Sequence, residues 1–233
     1  MLTIAFVTGT EPGKWFRRYE EFSGARLSTL PSSDPFPLLT APGGAGADLA
    51  LVRLPDPRVG EEYHVVRLYE EAAGVAVPKD SVYAEVGEEV RWSDVAEEHL
   101  NYAFSAEVPP AESEAELRAA LQVVAANVGI AVGPLPLLRA LSKKQVAALP
   151  LSSPAGVGVA TEVGLVWLKE RDADDIQDFV GVAKGRTARS SRGGGEEGGR
   201  AKPGARPARG RVKARGNGHN QRSRNRKRGA GPR

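Results

Sequence analysis

Cysteine is absent from all 233 residues, which excludes disulfides, thiolate metal sites and cysteine nucleophiles and suits a reducing compartment. Histidine is scarce, and His64, His99 and His219 stand far apart, with no HExxH pair and no G-x-S-x-G turn anywhere in the chain. No catalytic constellation, metal site or cofactor is therefore expected, and the chain does not read as an enzyme. Long apolar runs are also missing. The N-terminal MLTIAFVTGTEPGKW lacks a basic lead and an extended hydrophobic stretch, so neither a signal peptide nor a membrane span is expected, and the protein reads as soluble and cytoplasmic.

Acidic and aromatic residues are missing from one region in particular. Residues 184–233 hold 17 Lys+Arg against 2 Asp+Glu, a charge of +15, with no Phe, Trp or Tyr and Val212 as the only large apolar residue. Such a segment cannot bury a core and is expected to be disordered. Residues 1–183 hold 15 Lys+Arg against 27 Asp+Glu, or −12. The overall charge of +3 thus conceals an acidic body, 1–183, and a basic tail, 184–233. The tail is drawn to polyphosphates, whereas the body repels them. Arg222, Arg224, Arg226, Lys227 and Arg228 form its densest cluster, suited to DNA or RNA phosphates without base readout. The competing expectation is a tail that folds back on its own acidic body.

The body supplies an ample core, since 41% of the chain is hydrophobic. Leu2, Ile4, Phe6 and Val7 read as a strand, ended by Thr8-Gly9-Thr10. Trp15, Phe16, Tyr19 and Phe22 follow at helical spacing, with Pro12 in the first turn and Thr10 as the expected cap. Arg26 to Leu30 makes the next strand, so the unit is βαβ. The unbroken apolar run Asp48 to Arg53 suits a strand buried on both faces of a parallel sheet. Strands are further expected at Tyr63 to Leu68, Ala72 to Val77, Ile130 to Val132 and Val163 to Leu168. Trp92 to Val95 opens a short helix ending near His99. Ser113 with Glu116 has the form of a capping box ahead of Leu117, Leu121, Val124 and Val128, with Gly129 as the stop. Pro136 to Leu141 makes a helical turn. The last helix is expected to be capped from Asp172 to Asp175, burying Ile176, Phe179, Val180 and Ala183. Alternating strands and helices define an α/β fold.

Six segments, in this order, resemble the effector-binding domain of LysR-type transcriptional regulators. They are LTIAFVTGT, ADLALVRLP, HVVRLYEEAAGVAVPKDS, EVRWSDVAEEHL, VVAANVGIAVGPLPLLR and GLVWLKERDADDIQDFVGVAKG. The third is similar to the family's pL-x-E-x-x-x-x-V-x-P-x-x-H stretch, the fourth to lsDLadeplI and the fifth to VaaGlGIallP. The resemblance covers most of residues 1–183 and implies a two-lobed, type 2 periplasmic-binding-protein-like fold. It implies a small, often anionic effector between the lobes and pairing into homodimers. It departs from the family where the winged helix-turn-helix that reads DNA would stand, since this sequence opens at the first effector-domain strand. Between Leu100 and Glu116 it is short, which implies a trimmed second lobe.

The family's first strand-to-helix turn corresponds to Thr8, Gly9 and Thr10, which with Lys14 and a helix N-terminus would make an anion seat. Arg53 ends a buried strand where open α/β sheets place ligands, to meet either a ligand carboxylate or a neighbour such as Asp56. Asn101, Tyr102 and Ser105 fall where the family crosses between lobes, as cleft donors or as a wet loop. Asn127 to Gly129 corresponds to the second-lobe rim. The remaining motifs carry no chemistry. Gly9, Gly13 and Lys14 miss the P-loop spacing, with three residues between the glycines and Trp15 after the lysine. Gly156-Val157-Gly158 reads as a turn, His64 as a structural histidine, and the pairs Glu61-Glu62, Glu70-Glu71, Glu88-Glu89 and Glu97-Glu98 as solvated surface. Two functions emerge: a ligand-sensing regulatory protein without its own DNA-reading headpiece, or a nucleic-acid-associated protein acting through its tail.

Overall fold

The computed structural model describes residues 1–42, 46–154, 157 and 161–185. Gly156, Gly158 and the basic cluster Arg222, Arg224, Arg226, Lys227 and Arg228 lie outside the described residues.

The opening unit is βαβ. Strand β1, Leu2–Val7, leads into helix α1, Gly13–Ser23, and returns as β2, Leu27–Ser32, parallel to β1. A short 3-10 helix, Phe36–Thr40, stands where proline and glycine interrupt the chain, before β3, Leu49–Leu54. Strand β3 pairs parallel to β1, and four of its first five residues are fully or almost fully buried, as its unbroken apolar run requires.

Strand β4, Tyr63–Glu70, completes this lobe at its edge. The chain then crosses to a second sheet as β5, Ala73–Pro78, and continues through α2 (Val82–Val86), β6 (Val90–Arg91), α3 (Trp92–Val95) and β7 (Leu100–Ala103). Helix α4 spans Pro110–Ala125, β8 Ile130–Pro134, α5 Leu135–Leu141 and β9 Val146–Ser152. The chain crosses back as β10, Glu162–Leu168, and closes with α6, Asp174–Ala183. The first sheet has the order β2-β1-β3-β10-β4 and the second β6-β9-β5-β8-β7. Strand β10 runs antiparallel to both β3 and β4. Two lobes joined by two crossovers therefore follow from the chain path, and the α/β, two-lobed fold is the one the sequence implies.

Each sheet is covered on both faces. Tyr19 of α1 and Phe179 of α6 meet edge-to-face at 5.7 Å above Leu2, Ile4, Leu49 and Leu165, so the two helices share one core on the first sheet. The 3-10 helix covers the opposite face with Phe36 and Leu39. In the second lobe Leu117, Leu121 and Val124 of α4 pack with Leu138 and Leu141 of α5, while Val90, Val95 and Leu151 cover the other side.

Several local expectations are corrected. Helix α4 starts three residues before Ser113, at Pro110 with Pro109 in the cap position, so Ser113 caps nothing. It is buried inside the helix, with its hydroxyl 2.6 Å from that of Tyr102. The helix ends at Ala125 and Asn127 takes the left-handed conformation two residues before Gly129, leaving Val128 exposed. Helix α3 ends at Val95, and the chain past His99 is strand β7. Asp172 and Asp175 flank the start of α6 without capping it, since the cap residue is Ala173. Asp172 instead accepts from Trp167 Nε1 and Gln177 Nε2, and Asp175 pairs with Arg171. Those hydrogen bonds, from Gln177 to Asp172 and from Arg171 to Asp175, hold both carboxyls below their ordinary range. Two acids at this end also suit the positive pole of the helix.

Candidate ligand-binding cleft

The first strand-to-helix turn is closed by its own side chain. Thr10 Oγ1 donates to the carbonyl of Val7 at 2.7 Å and the residue is buried, so it fastens the turn rather than capping α1, whose cap position is Pro12 with no side-chain bond. Thr8 N–H donates to the carbonyl of Ser32. Gly9 sits at φ +92°, where a Cβ would fall 2.9 Å from both N and Cα of Leu137 and from Nη2 of Arg53. Only glycine suits that backbone and that contact. The turn is thereby pressed against α5 of the second lobe.

Arg53, at the end of β3, does not pair with Asp56. Its Nε and Nη2 donate to the Glu71 carboxylate at 2.7 and 3.1 Å, and Nη2 also donates to the carbonyl of Thr8 at 2.8 Å. The side chain of Glu71 is 0% exposed and that of Arg53 9%, which corrects the assignment of Glu71 to solvated surface. Its doublet partner, Glu70, is exposed. Glu71 stands in the first crossover and Thr161 in the second. Thr161 Oγ1 donates to Glu71 Oε2 at 2.8 Å, and Glu71 N–H donates to the carbonyl of Thr161 at 2.9 Å. One buried carboxylate thus ties together the end of β3, the first turn and both chain crossings. A buried ion pair holds only where such additional bonds satisfy it.

Arg53 is also the floor of a cavity of about 290 Å³ between the lobes. Its walls are Val7, Leu54, Phe104, Val108 and Leu137, with Ser33, Ser113 and Thr161 supplying hydroxyls. Arg58 guards one rim, donating to Asp34 and Asp56, each at 2.7 Å, and lying 4.7 Å from the ring centroid of Phe36. Hydrogen bonds to Asp56 and Asp34 raise the Arg58 pKa further, so it is a fixed cation. Burial pushes the hydroxyl of Tyr102 upward in pKa despite its bond to Ser113, keeping that pair neutral behind the wall. A second, more open cleft of about 580 Å³ is lined by Gly9, Thr10, Lys14, Trp15, Tyr69 and Arg139.

The anticipated residues are therefore split. Arg53 lines the first cavity, whereas Gly9 and Thr10 line the more open cleft. Thr8 reaches the site through its carbonyl. Asn101 lies in β7 and donates to the carbonyls of Val128 and Ile130, binding the strand to the turn after α4 and to the start of β8, away from the cavity. The Ser105 hydroxyl accepts from Glu107 N–H and shapes the loop whose neighbours Phe104 and Ala106 form the wall. Lys14 opens on the second cleft. Glu71 was read from the sequence as solvated surface, and Thr161, Phe104 and Leu137 were not singled out. Strand alternation does not mark Glu71, because Val66 and Leu68 face the core and Val65, Arg67 and Tyr69 are exposed, which by a period of two would turn Glu70 inward instead. Among the described residues no group of three or more acidic or histidine side chains is placed to hold a metal, and no helix is long and apolar enough to cross a membrane.

No protein-family model matches this chain, and no curated protein does. Solved structures do match. The BenM effector-binding domain with its effector benzoate aligns with a TM-score of 0.58 at 14% identity, over 84% of this chain and 94% of that one. CbnR, a LysR family transcriptional regulator, aligns at 0.56 and 15% identity, over 78% of this chain and 68% of its own. An H2O2-bound OxyR mutant from Corynebacterium glutamicum aligns at 0.53 and 16% identity, over 82% and 65%. The chain has the fold of LysR-type effector-binding domains, and it spans about two-thirds of the length of the longer regulators.

Thr161→Val keeps the shape of the crossover and its backbone bonds but deprives the Glu71 carboxylate of one donor. The expected loss is about 1.5–3 kcal/mol of unfolding free energy, read from urea denaturation of the full chain; no loss would show that the hydroxyl does not hold the carboxylate.

Proposed function

We propose that this protein is a ligand-sensing regulatory module that takes a small molecule in the cavity between its lobes. The carrying observation is the cavity between the lobes. Apolar walls from both lobes surround Arg53 and three hydroxyls, with Asp56, Arg58, Glu107 and Glu114 also in the lining, an apolar pocket with a few convergent polar groups of the kind that holds small molecules. It lies beside the two crossovers, where the lobes are joined, so a ligand touching both walls stabilises one relation of the lobes over others. The likeness to regulators' effector-binding domains supports a regulatory rather than an enzymatic role, in the cytoplasm and in paired copies. Of the other anticipated residues, Thr8 supports Arg53 and Ser105 the loop of the wall, Gly9 and Thr10 line the more open cleft, and Asn101 stands away from the cavity. A ligand held at a hundred times its Kd should add about 2.7 kcal/mol to the stability of the full chain, or roughly 5–10 °C in Tm. A broad thermal-shift screen of small organic molecules in which none stabilises the protein would overturn the proposal.

One observation favours a second, compatible activity. The +15 charge of residues 184–233 against −12 in the body suits non-specific association of the tail with DNA or RNA through Arg222, Arg224, Arg226, Lys227 and Arg228. With 6–10 phosphate contacts, affinity for an arbitrary duplex should fall by roughly 10³–10⁵ between about 50 and 200 mM salt. Binding should vanish when the chain is cut at residue 184, and equal binding by the shortened protein would refute it.

A further inference from the structure

The cleft already contains its own carboxylates. Two cations line the cavity, and both are engaged before any ligand arrives. Arg53 gives Nε and Nη2 to Glu71, and Arg58 gives its guanidinium to Asp34 and Asp56. The other charged residues of the lining are acids: Glu107, and Glu114 paired with Arg118. Lining residues and their ion-pair partners together comprise three cations, Arg53, Arg58 and Arg118, against five carboxylates, Asp34, Asp56, Glu71, Glu107 and Glu114. The local balance is therefore negative by two.

A carboxylate ligand needs a cation with charge to spare, and here the guanidinium at the floor is 2.7 Å from a fully buried carboxylate. Seating a second carboxylate on Arg53 would bring two like charges to within a few ångströms beside a buried pair, 9% and 0% exposed, where their repulsion is less screened than at the surface. A neutral acceptor meets no such penalty. Arg53 Nη1 carries no hydrogen bond among the described residues, since the bonds of this side chain use Nε and Nη2, and it remains available as a donor at the floor. The body of the ligand would rest on Val7, Leu54, Phe104 and Leu137.

We infer that the cavity selects an uncharged, largely apolar molecule bearing one carbonyl- or hydroxyl-type acceptor for Arg53, and that the Glu71 carboxylate makes it discriminate against organic anions. This rests on the cavity being a small-molecule site, and it reverses the anionic preference that the resemblance to the regulator family implies. It also sets this chain apart from its structural neighbour BenM, whose effector benzoate is an anion.

Benzamide and benzoate share one ring and nearly one shape, and differ in charge. In parallel NMR titrations of the full chain at fixed ionic strength, resonances of Phe104, Leu137 and Thr161 should respond to benzamide at a concentration roughly tenfold or more below that needed for benzoate. Glu71→Gln, which exchanges a carboxylate for an amide of the same shape, should raise benzoate affinity and narrow the gap. Equal or tighter binding of benzoate by the wild-type protein would overturn the inference while leaving the small-molecule site intact. Failure of both probes to move any cleft resonance at tens of millimolar would overturn the site as well. A Glu71→Gln protein that binds benzoate no better would show that this carboxylate is not the discriminating charge. The wild-type titrations decide by themselves should that variant lose its fold.

Discussion

The buried pair between Arg53 and Glu71 is the interaction on which the rest of the arrangement depends. Removing two charges from water is unfavourable, and their attraction in the interior compensates only with good geometry and additional hydrogen bonds. Here Thr161 donates to the carboxylate and the carbonyl of Thr8 accepts from the guanidinium, which leaves Arg53 Nη1 without a hydrogen bond among the described residues. Because Arg53 ends a strand of the first lobe while Glu71 and Thr161 occupy the two crossovers, the requirement to satisfy one carboxylate fixes where the chain leaves the first lobe and where it returns. The first turn is placed by the same demand, with its carbonyl on Arg53 and Gly9 against Leu137.

That junction also explains how this fold can answer to a ligand. The walls of the cavity belong to different lobes, and its floor is the group that holds the crossovers. A molecule that touches Arg53, Phe104 and Leu137 contacts the junction and both walls at once, so its binding energy acts on the relation between the lobes. On the proposed reading an internal carboxylate at this place would serve selectivity, since it settles the charge of the guanidinium in advance and leaves shape and a single hydrogen bond to choose the ligand.

The fold was legible in the sequence wherever burial imposes a strict pattern. The two-sided apolar run at β3, the βαβ opening and the faces of α4 and α6 obey such patterns, because a misplaced residue there would expose core or bury charge. Cap positions were not legible, since Thr10 and Ser113 have the right chemistry for capping and the tertiary structure uses their hydroxyls elsewhere, on Val7 and on Tyr102. Strand β9 was missed because Ala147, Ala148 and Pro150 do not alternate as a strand should, although its pairing with β5 makes it one. The site was legible only in part. Arg53 was found from its place at a strand end, but its true partner lies 18 residues on in sequence, in a doublet that looks like solvated surface. Local charge patterning cannot show which member of such a doublet turns inward when the chain changes lobes.

The central claim is that Arg53 and Glu71 act as a unit at the lobe junction, and a double-mutant cycle of Arg53→Met and Glu71→Leu in urea denaturation tests it most directly. The account predicts that each single substitution, by leaving one buried charge unpaired, lowers stability by about 3–5 kcal/mol. It further predicts that the double variant loses less than either single one, a strong coupling between the two positions. Simple additivity of the two losses would contradict it, because the charges would then be held independently and the junction would owe nothing to their pairing.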